Sequence, residues 1–225
     1  MAVIRVVYWG LSLIALSLVV GCNATRVIKP LEKGEKQVSA GFGGPGIVYG
    51  GSPMPLPLSS ISYAHGIDTG VTFTGGIHAT SAAFSVLQSD IGLGISAYRS
   101  KLDRFGVTIT PAVNVLYDFN GNNLRIYPQV DATAWWQYGE KPNLLYGGAG
   151  TWIELVKAKA HGQVQENEIM PWISLGHQIN RPKWNYLTEV RYIGFNQATD
   201  KVVVEYISPA DRGTIGIYLG IGRKF

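Results

Sequence analysis

Apolar residues alternate with small or polar ones along nearly all of the chain from Gln37 onward. The sixth such segment is the clearest: Leu124, Ile126, Val130, Ala132, Ala134 and Trp136 share one face, and Arg125, Tyr127, Gln129, Asp131, Thr133, Trp135 and Gln137 share the other. A period of two predicts a β-strand with one apolar and one polar face. The pattern recurs with Val38, Ala40 and Phe42; with Ile61 and Tyr63; with Val71, Phe73 and Ile77 against Thr72, Thr74 and His78; and with Ile91, Leu93 and Ile95 against Asp90, Gly92, Gly94 and Tyr98. It continues through Val107–Tyr117, Leu145–Leu155, Ile169–Gln178 and Trp184–Tyr192. In the last segment Ile215, Ile217, Leu219, Ile221 and Phe225 oppose Thr214, Gly216, Tyr218, Gly220, Gly222 and Lys224. Turn chemistry separates the segments, for example Gly66-Ile67-Asp68-Thr69, Asn120-Gly121-Asn122-Asn123 and Gly139-Glu140-Lys141-Pro142.

The expected fold is all-β: a closed antiparallel up-and-down transmembrane barrel of about ten strands. Eight or twelve stay open, because Lys201–Ile207 is either an outer extension of the ninth strand or a strand of its own. Connections alternate between short turns and longer loops, which places both chain ends on one side, expected to be the periplasm. An even count leaves no unpaired edge in lipid. Trp135, Trp136, Tyr138, Trp184, Tyr186, Tyr98 and Phe225 gather near strand ends, as in an aromatic girdle at the headgroup level.

Composition sharpens this picture. Charged residues are 15% of the chain, below the usual quarter or so, while Gly (28) and Tyr (12) are abundant. Low charge with many glycines and aromatics suits strands that face lipid on one side and a lumen on the other. The net charge of +4 is dispersed and no basic run appears, so no nucleic-acid partner is expected. One cysteine excludes an internal disulfide and a cysteine-based zinc site.

That cysteine, Cys22, follows Arg5 and the apolar run Val6–Val20, which reads as an export signal over residues 1–21. Val19-Val20-Gly21-Cys22 resembles the lipobox of bacterial lipoproteins, and the resemblance implies acylation (palmitate-type chains) at Cys22 by the lipoprotein-processing machinery. Asn23 is not the aspartate that resembles an inner-membrane retention signal, so sorting to the outer membrane is permitted. Residues 22–36, polar and mixed in charge, read as a lipidated N-terminus and periplasmic tether, leaving 37–225 as the barrel. The barrel pattern resembles the small bacterial outer-membrane β-barrels. In that family the alternating, aromatic-ended last strand is what the barrel-assembly machinery reads, which points to Tyr218, Leu219, Ile221 and Phe225.

Among inward positions, Asp90, Arg125, Asp131, Glu154, Glu189, Arg191 and Lys224 are expected to form a paired lumen network, since a lone buried charge costs several kcal/mol. Inward glycines such as Gly94, Gly148, Gly150, Gly176 and Gly216 leave room for a cavity. For catalysis, His78 with Ser81 and His177 with Ser174 are the candidate pairs; the second has opposite strand parity, and no third group is fixed for the first. The four histidines are scattered, and neither a metal-ligand spacing nor a nucleotide-cradling glycine loop appears, so no metal or cofactor is expected. The leading expectation is a structural or interaction barrel of the outer membrane, with or without a narrow pore, bounded by membrane lipid. The alternatives are a passive channel for small solutes, a lipid-modifying hydrolase, and a periplasmic lipoprotein barrel that binds an apolar ligand.

Overall fold

The computed structural model describes residues 26–155, 167–199 and 205–225. Its strands are β1 (Lys36–Tyr49), β2 (Ser52–Pro55), β3 (Ser59–Asp68), β4 (Val71–His78), β5 (Val86–Arg99), β6 (Phe105–Asp118), β7 (Asn123–Tyr138), β8 (Asn143–Ile153), β9 (Ile169–Asn180), β10 (Trp184–Ala198) and β11 (Arg212–Lys224). A short helix, α1 (Ala79–Ala83), joins β4 to β5. β1 pairs antiparallel with β3, each strand from β3 to β10 pairs antiparallel with the next, and β11 returns to β1 in a register running from Gln37↔Lys224 to Pro45↔Gly216. Since β2 pairs only with the end of β1, the ring itself is a closed antiparallel barrel of ten strands. Closure leaves the ring without an unpaired edge.

The barrel is inside-out relative to a water-soluble core. Thr72, Thr74, Thr108, Asn114 and Thr133 are wholly buried, while Ile61, Ile91, Ile173, Leu175 and Ile217 are exposed. The neighbours Trp135 and Trp136, at 1% and 58% exposure, show how strictly the two-residue period sets direction. One rim carries the short turns after β3, β5, β7 and β9 and both ends of the ring, where the Phe225 amide donates to the Lys36 carbonyl (2.9 Å). We call it the turn rim and the opposite one the loop rim. Tyr98, Phe105, Trp136, Tyr138, Trp184, Tyr186 and Phe225 are exposed around the turn rim, with the Arg223 guanidinium over the rings of Trp184 (5.6 Å) and Phe225 (5.3 Å). Tyr49, Phe84, Phe119 and Phe195 are exposed towards the other.

Several expectations are corrected by the structure. Trp135 does not belong to the girdle: its parity turns it into the lumen. Tyr98 points out rather than in, because the β5–β6 register slips between Ser96 and Tyr98, and one extra residue on a strand reverses every side chain beyond it. It lies against Phe105 at 5.9 Å. Beyond the alternating Val38, Ala40 and Phe42, β1 continues through the Gly/Pro stretch Gly43–Gly46. Residues 205–207 do not extend β10; Tyr206 bridges to Ile47, and the Ile207 amide donates to the Gly46 carbonyl (2.8 Å). Residues 201–204 lie outside the described residues.

Gly220 borders a cavity, as expected, but other inward glycines are sockets for large rings. A Cβ built on Gly176 would lie 2.2 Å from Cζ of Tyr146, one on Gly150 2.5 Å from the Trp172 ring, and one on Gly106 2.4 Å from the Trp135 ring. Trp135, Tyr146, Trp172 and Tyr218 therefore fill a lumen expected to be lined by small and charged groups.

Candidate functional site: a plugged lumen

The chain ahead of β1 does not hang free as a tether over its described part. Residues 26–35 turn back at the turn rim and run into the barrel. The reversal is fixed by backbone bonds from the Glu35 amide to the Glu32 carbonyl (2.9 Å) and from the Gly34 amide to the Gly66 carbonyl (2.7 Å), while Lys224 pairs with Glu35 (3.0 Å). Gly66 is required at that crossing, since a Cβ there would meet the Glu32 carbonyl oxygen at 2.1 Å. Deeper in, the Leu31 amide donates to Thr72 Oγ1 (2.8 Å), and Thr108 Oγ1 donates to the Ile28 carbonyl (2.8 Å). An irregular segment has no ladder partner for its amides and carbonyls, so inward threonines of the wall supply one.

The segment also brings apolar surface inside. Ile28 packs with Trp135, Leu144 and Tyr146; Val27 and Leu31 pack with Ala64. Burying one aliphatic side chain contributes roughly 1.5–3 kcal/mol, and three are buried here. Lys29 lies 4.9 Å from the centre of the Trp135 ring and pairs with Asp103 in the turn after β5. Asp103 is also bonded by Arg99; that hydrogen bond, with Lys29 adding to it, holds its carboxyl below the usual carboxylate range. Arg99 in turn reaches Glu32 (3.0 Å).

At the inner end sits Arg26. Its guanidinium donates to Asp131 (3.3 Å), Thr133 Oγ1 (3.0 Å), Ser174 Oγ (3.3 Å) and Glu189. Glu189 is shared with Arg191. Arg26 and Arg191 both lie against the Trp172 ring (4.9 and 5.0 Å to its centre), and Arg191 also against Tyr218 (4.7 Å). Two cations and two carboxylates thus neutralise one another in a buried layer clamped by aromatic rings. Charges so enclosed are tolerable only when paired and hydrogen-bonded. The layer acts as a septum. A cavity of about 260 Å³, lined by the inserted segment, lies on its turn side, and an aromatic cavity of about 240 Å³ lies on its loop side.

The expected lumen network is therefore several separate clusters. Asp131, Glu189 and Arg191 meet at the septum, through Arg26. Asp90 pairs with His78 (2.6 Å). Arg125 and Glu154 both reach the Tyr127 hydroxyl. Lys224 stays at the turn rim with Glu35. Of the terminal-strand residues, Leu219 and Ile221 face outward, Tyr218 is buried inside, and Phe225 is exposed at the rim. Cys22 lies outside the described residues.

The catalytic pairings find little geometry. Ser174 faces inward to Arg26, whereas His177 is on the other side of the wall, stacked on Tyr138 at 5.7 Å. His78 does acquire a carboxylate, Asp90, but Ser81 Oγ donates to Gln88 Oε1 (2.5 Å), in a polar chain running on to Asn114 and Gln129. Among the described residues, no three of His, Cys, Asp and Glu gather in a way that would hold a metal ion.

Fold and lumen together define a closed, internally plugged antiparallel barrel with an apolar outer surface. No protein-family description matches the sequence, and no curated protein does. Among solved structures, the chain is similar to the translocator domain of the autotransporter NalP from Neisseria meningitidis, at 13% identity over 100% of this chain and 97% of that one, with a TM-score of 0.44. It is similar to an outer-membrane channel from Pseudomonas putida F1, at 12% identity over 91% and 100% of the two chains, with a TM-score of 0.47. For the NanC porin the values are 11%, 84% and 100%, with a TM-score of 0.45. At these values the likenesses say nothing of what this chain does.

Proposed function

We propose that this protein is an outer-membrane β-barrel of structural or interaction type whose lumen is shut by its own N-terminal segment. The observation that carries this is the Arg26 septum, where a side chain from outside the ring bonds residues of β7, β9 and β10 at once. The exposed aliphatic belt between two aromatic rims supports a bilayer setting. The turn rim, with its short connections, is the periplasmic side in this reading. Phe225 and the outward Leu219 and Ile221 of β11 are what the assembly machinery engages, and Cys22 is the site of acylation. A passive channel is the second reading, because the plug is held without a covalent bond and a vestibule lies on each side of it.

Planar-bilayer recording tests closure. Protein refolded from residue 22 onward with Cys22→Ala should give no stable currents. The same chain carrying Arg26→Ala as well should give discrete openings. Steady conductance before Arg26 is changed would overturn the closed reading, and silence after it would overturn the role of Arg26. Acylation is tested separately by intact mass: the mature wild-type chain should begin at Cys22 and carry a diacylglyceryl group, and an unmodified cysteine would refute it.

A further inference from the structure

Beyond the septum, on the loop side, lies the aromatic cavity of about 240 Å³. It owes its shape to one irregularity. The β10–β11 register, regular up to Ile193↔Thr214, resumes only at Ala198↔Arg212, so β10 carries extra residues that bow away from its partner. Gly194 and Gly213, with φ of +65° and +57°, allow the bend. A Cβ on Gly213 would also meet the Ile193 carbonyl oxygen at 2.4 Å. Phe195 turns outward onto Tyr192 (5.7 Å), and Gln197 turns in, lining the cavity.

The walls are Trp152, Met170, Trp172, Tyr206 and Tyr218, and Arg191 closes the floor. The Arg191 charge is matched by Glu189 and that of Arg26 by Asp131 and Glu189, so the floor is neutral and calls for neither an anion nor a cation. Within this apolar enclosure the Nε2 of Gln197 is buried and donates to nothing. A buried donor left unmade costs free energy that a bound acceptor would return. The volume falls below the roughly 300–1,000 Å³ of sites for drug-sized molecules, so the occupant is of one- or two-ring size.

The geometry points to a ligand site here for a small, neutral, planar aromatic compound carrying one hydrogen-bond acceptor. The rings of Trp152, Trp172 and Tyr218 enclose its faces, and the Gln197 amide nitrogen donates to its carbonyl or ether oxygen. This goes beyond the closure of the barrel, because the site lies on the far side of the septum from the inserted segment.

Coumarin is a suitable probe, being neutral and planar with a lactone carbonyl. Naphthalene, matched in size, lacks the acceptor. With the full-length mature protein in lipid nanodiscs, coumarin should bind saturably at one site per barrel, read by calorimetry against empty nanodiscs. Gln197→Leu should weaken coumarin about tenfold, the worth of one hydrogen bond, and leave naphthalene unchanged. Trp152→Ala should weaken both. Each variant is scored only if the unboiled protein still migrates as a folded barrel in detergent gels, with Gln197→Glu as the second variant should Gln197→Leu fail that check. A carboxylate in place of the donor should weaken coumarin at least as much. Uptake that never saturates, or that is the same in wild type, the position-197 variant and Trp152→Ala, would show mere partitioning into lipid and overturn the site.

Discussion

Replacing Glu189 with alanine should destabilise the barrel by about 3–5 kcal/mol, the usual cost of removing one partner from a buried ion pair. Glu189 is 3% exposed and holds two guanidinium groups, those of Arg26 and Arg191. Without it both remain in the aromatic layer with Asp131 as the remaining carboxylate of the septum. Glu189→Gln, which keeps the shape and removes the charge, should lose less but in the same direction. Urea unfolding in lipid vesicles measures both. An alanine variant within about 0.5 kcal/mol of wild type, the range of an ordinary surface substitution, would mean that water reaches the septum freely.

The second large effect is expected at a position with no side chain at all. Gly176→Ala places a methyl group 2.2 Å from Cζ and 2.3 Å from the hydroxyl of Tyr146. Overpacking costs about 1–3 kcal/mol in most cores, occasionally more. The upper end applies here, because Tyr146 is itself 2% exposed and packed against Ile28 and Leu144. The heat-dependent gel shift of the folded barrel should therefore occur at a markedly lower temperature. In a Tyr146→Ala background the same alanine should cost almost nothing, which isolates the clash from any effect of glycine on the backbone. Equal losses in both backgrounds would place the cause in the strand.

The wall was legible from the sequence because the β period is two and the barrel has one apolar side, so each residue's direction follows from its parity. Trp135 and Trp136 obey it, as do Thr133 and Asp131. The rule fails where a register slips, as at Tyr98 and at Gly194–Gln197, because the alternation itself does not show that the count has changed. The plug was missed for a different reason. Residues 26–35 have no period, and their bonds go to side chains far away in sequence, such as Arg26 to Glu189. Two signals nevertheless stood in the strands. Of the seven inward charges predicted, Asp90, Asp131, Glu154 and Glu189 outnumber Arg125, Arg191 and Lys224, so one cation was owed from elsewhere. And Trp135, Leu144 and Tyr146 on inward positions make no sense in a wet channel; they need the apolar partner that Ile28 provides.

The depth of Arg26 bears on how the molecule matures. Its partners Glu189 and Asp131 sit five and seven residues in from the strand ends at Trp184 and Tyr138, or about 13–18 Å below the mouth at a rise of about 3.3 Å and a tilt of about 40°. The four peptide units between Cys22 and Arg26 span at most about 14 Å fully extended, and a route to either leaflet must also clear the wall. The guanidinium reaches ahead of its own backbone, so the same units bring Cys22 back towards the mouth of the turn rim. If Cys22 is acylated as proposed, the anchor and the docked Arg26 share that one short spacer, and the fatty acids can enter lipid only beside the mouth.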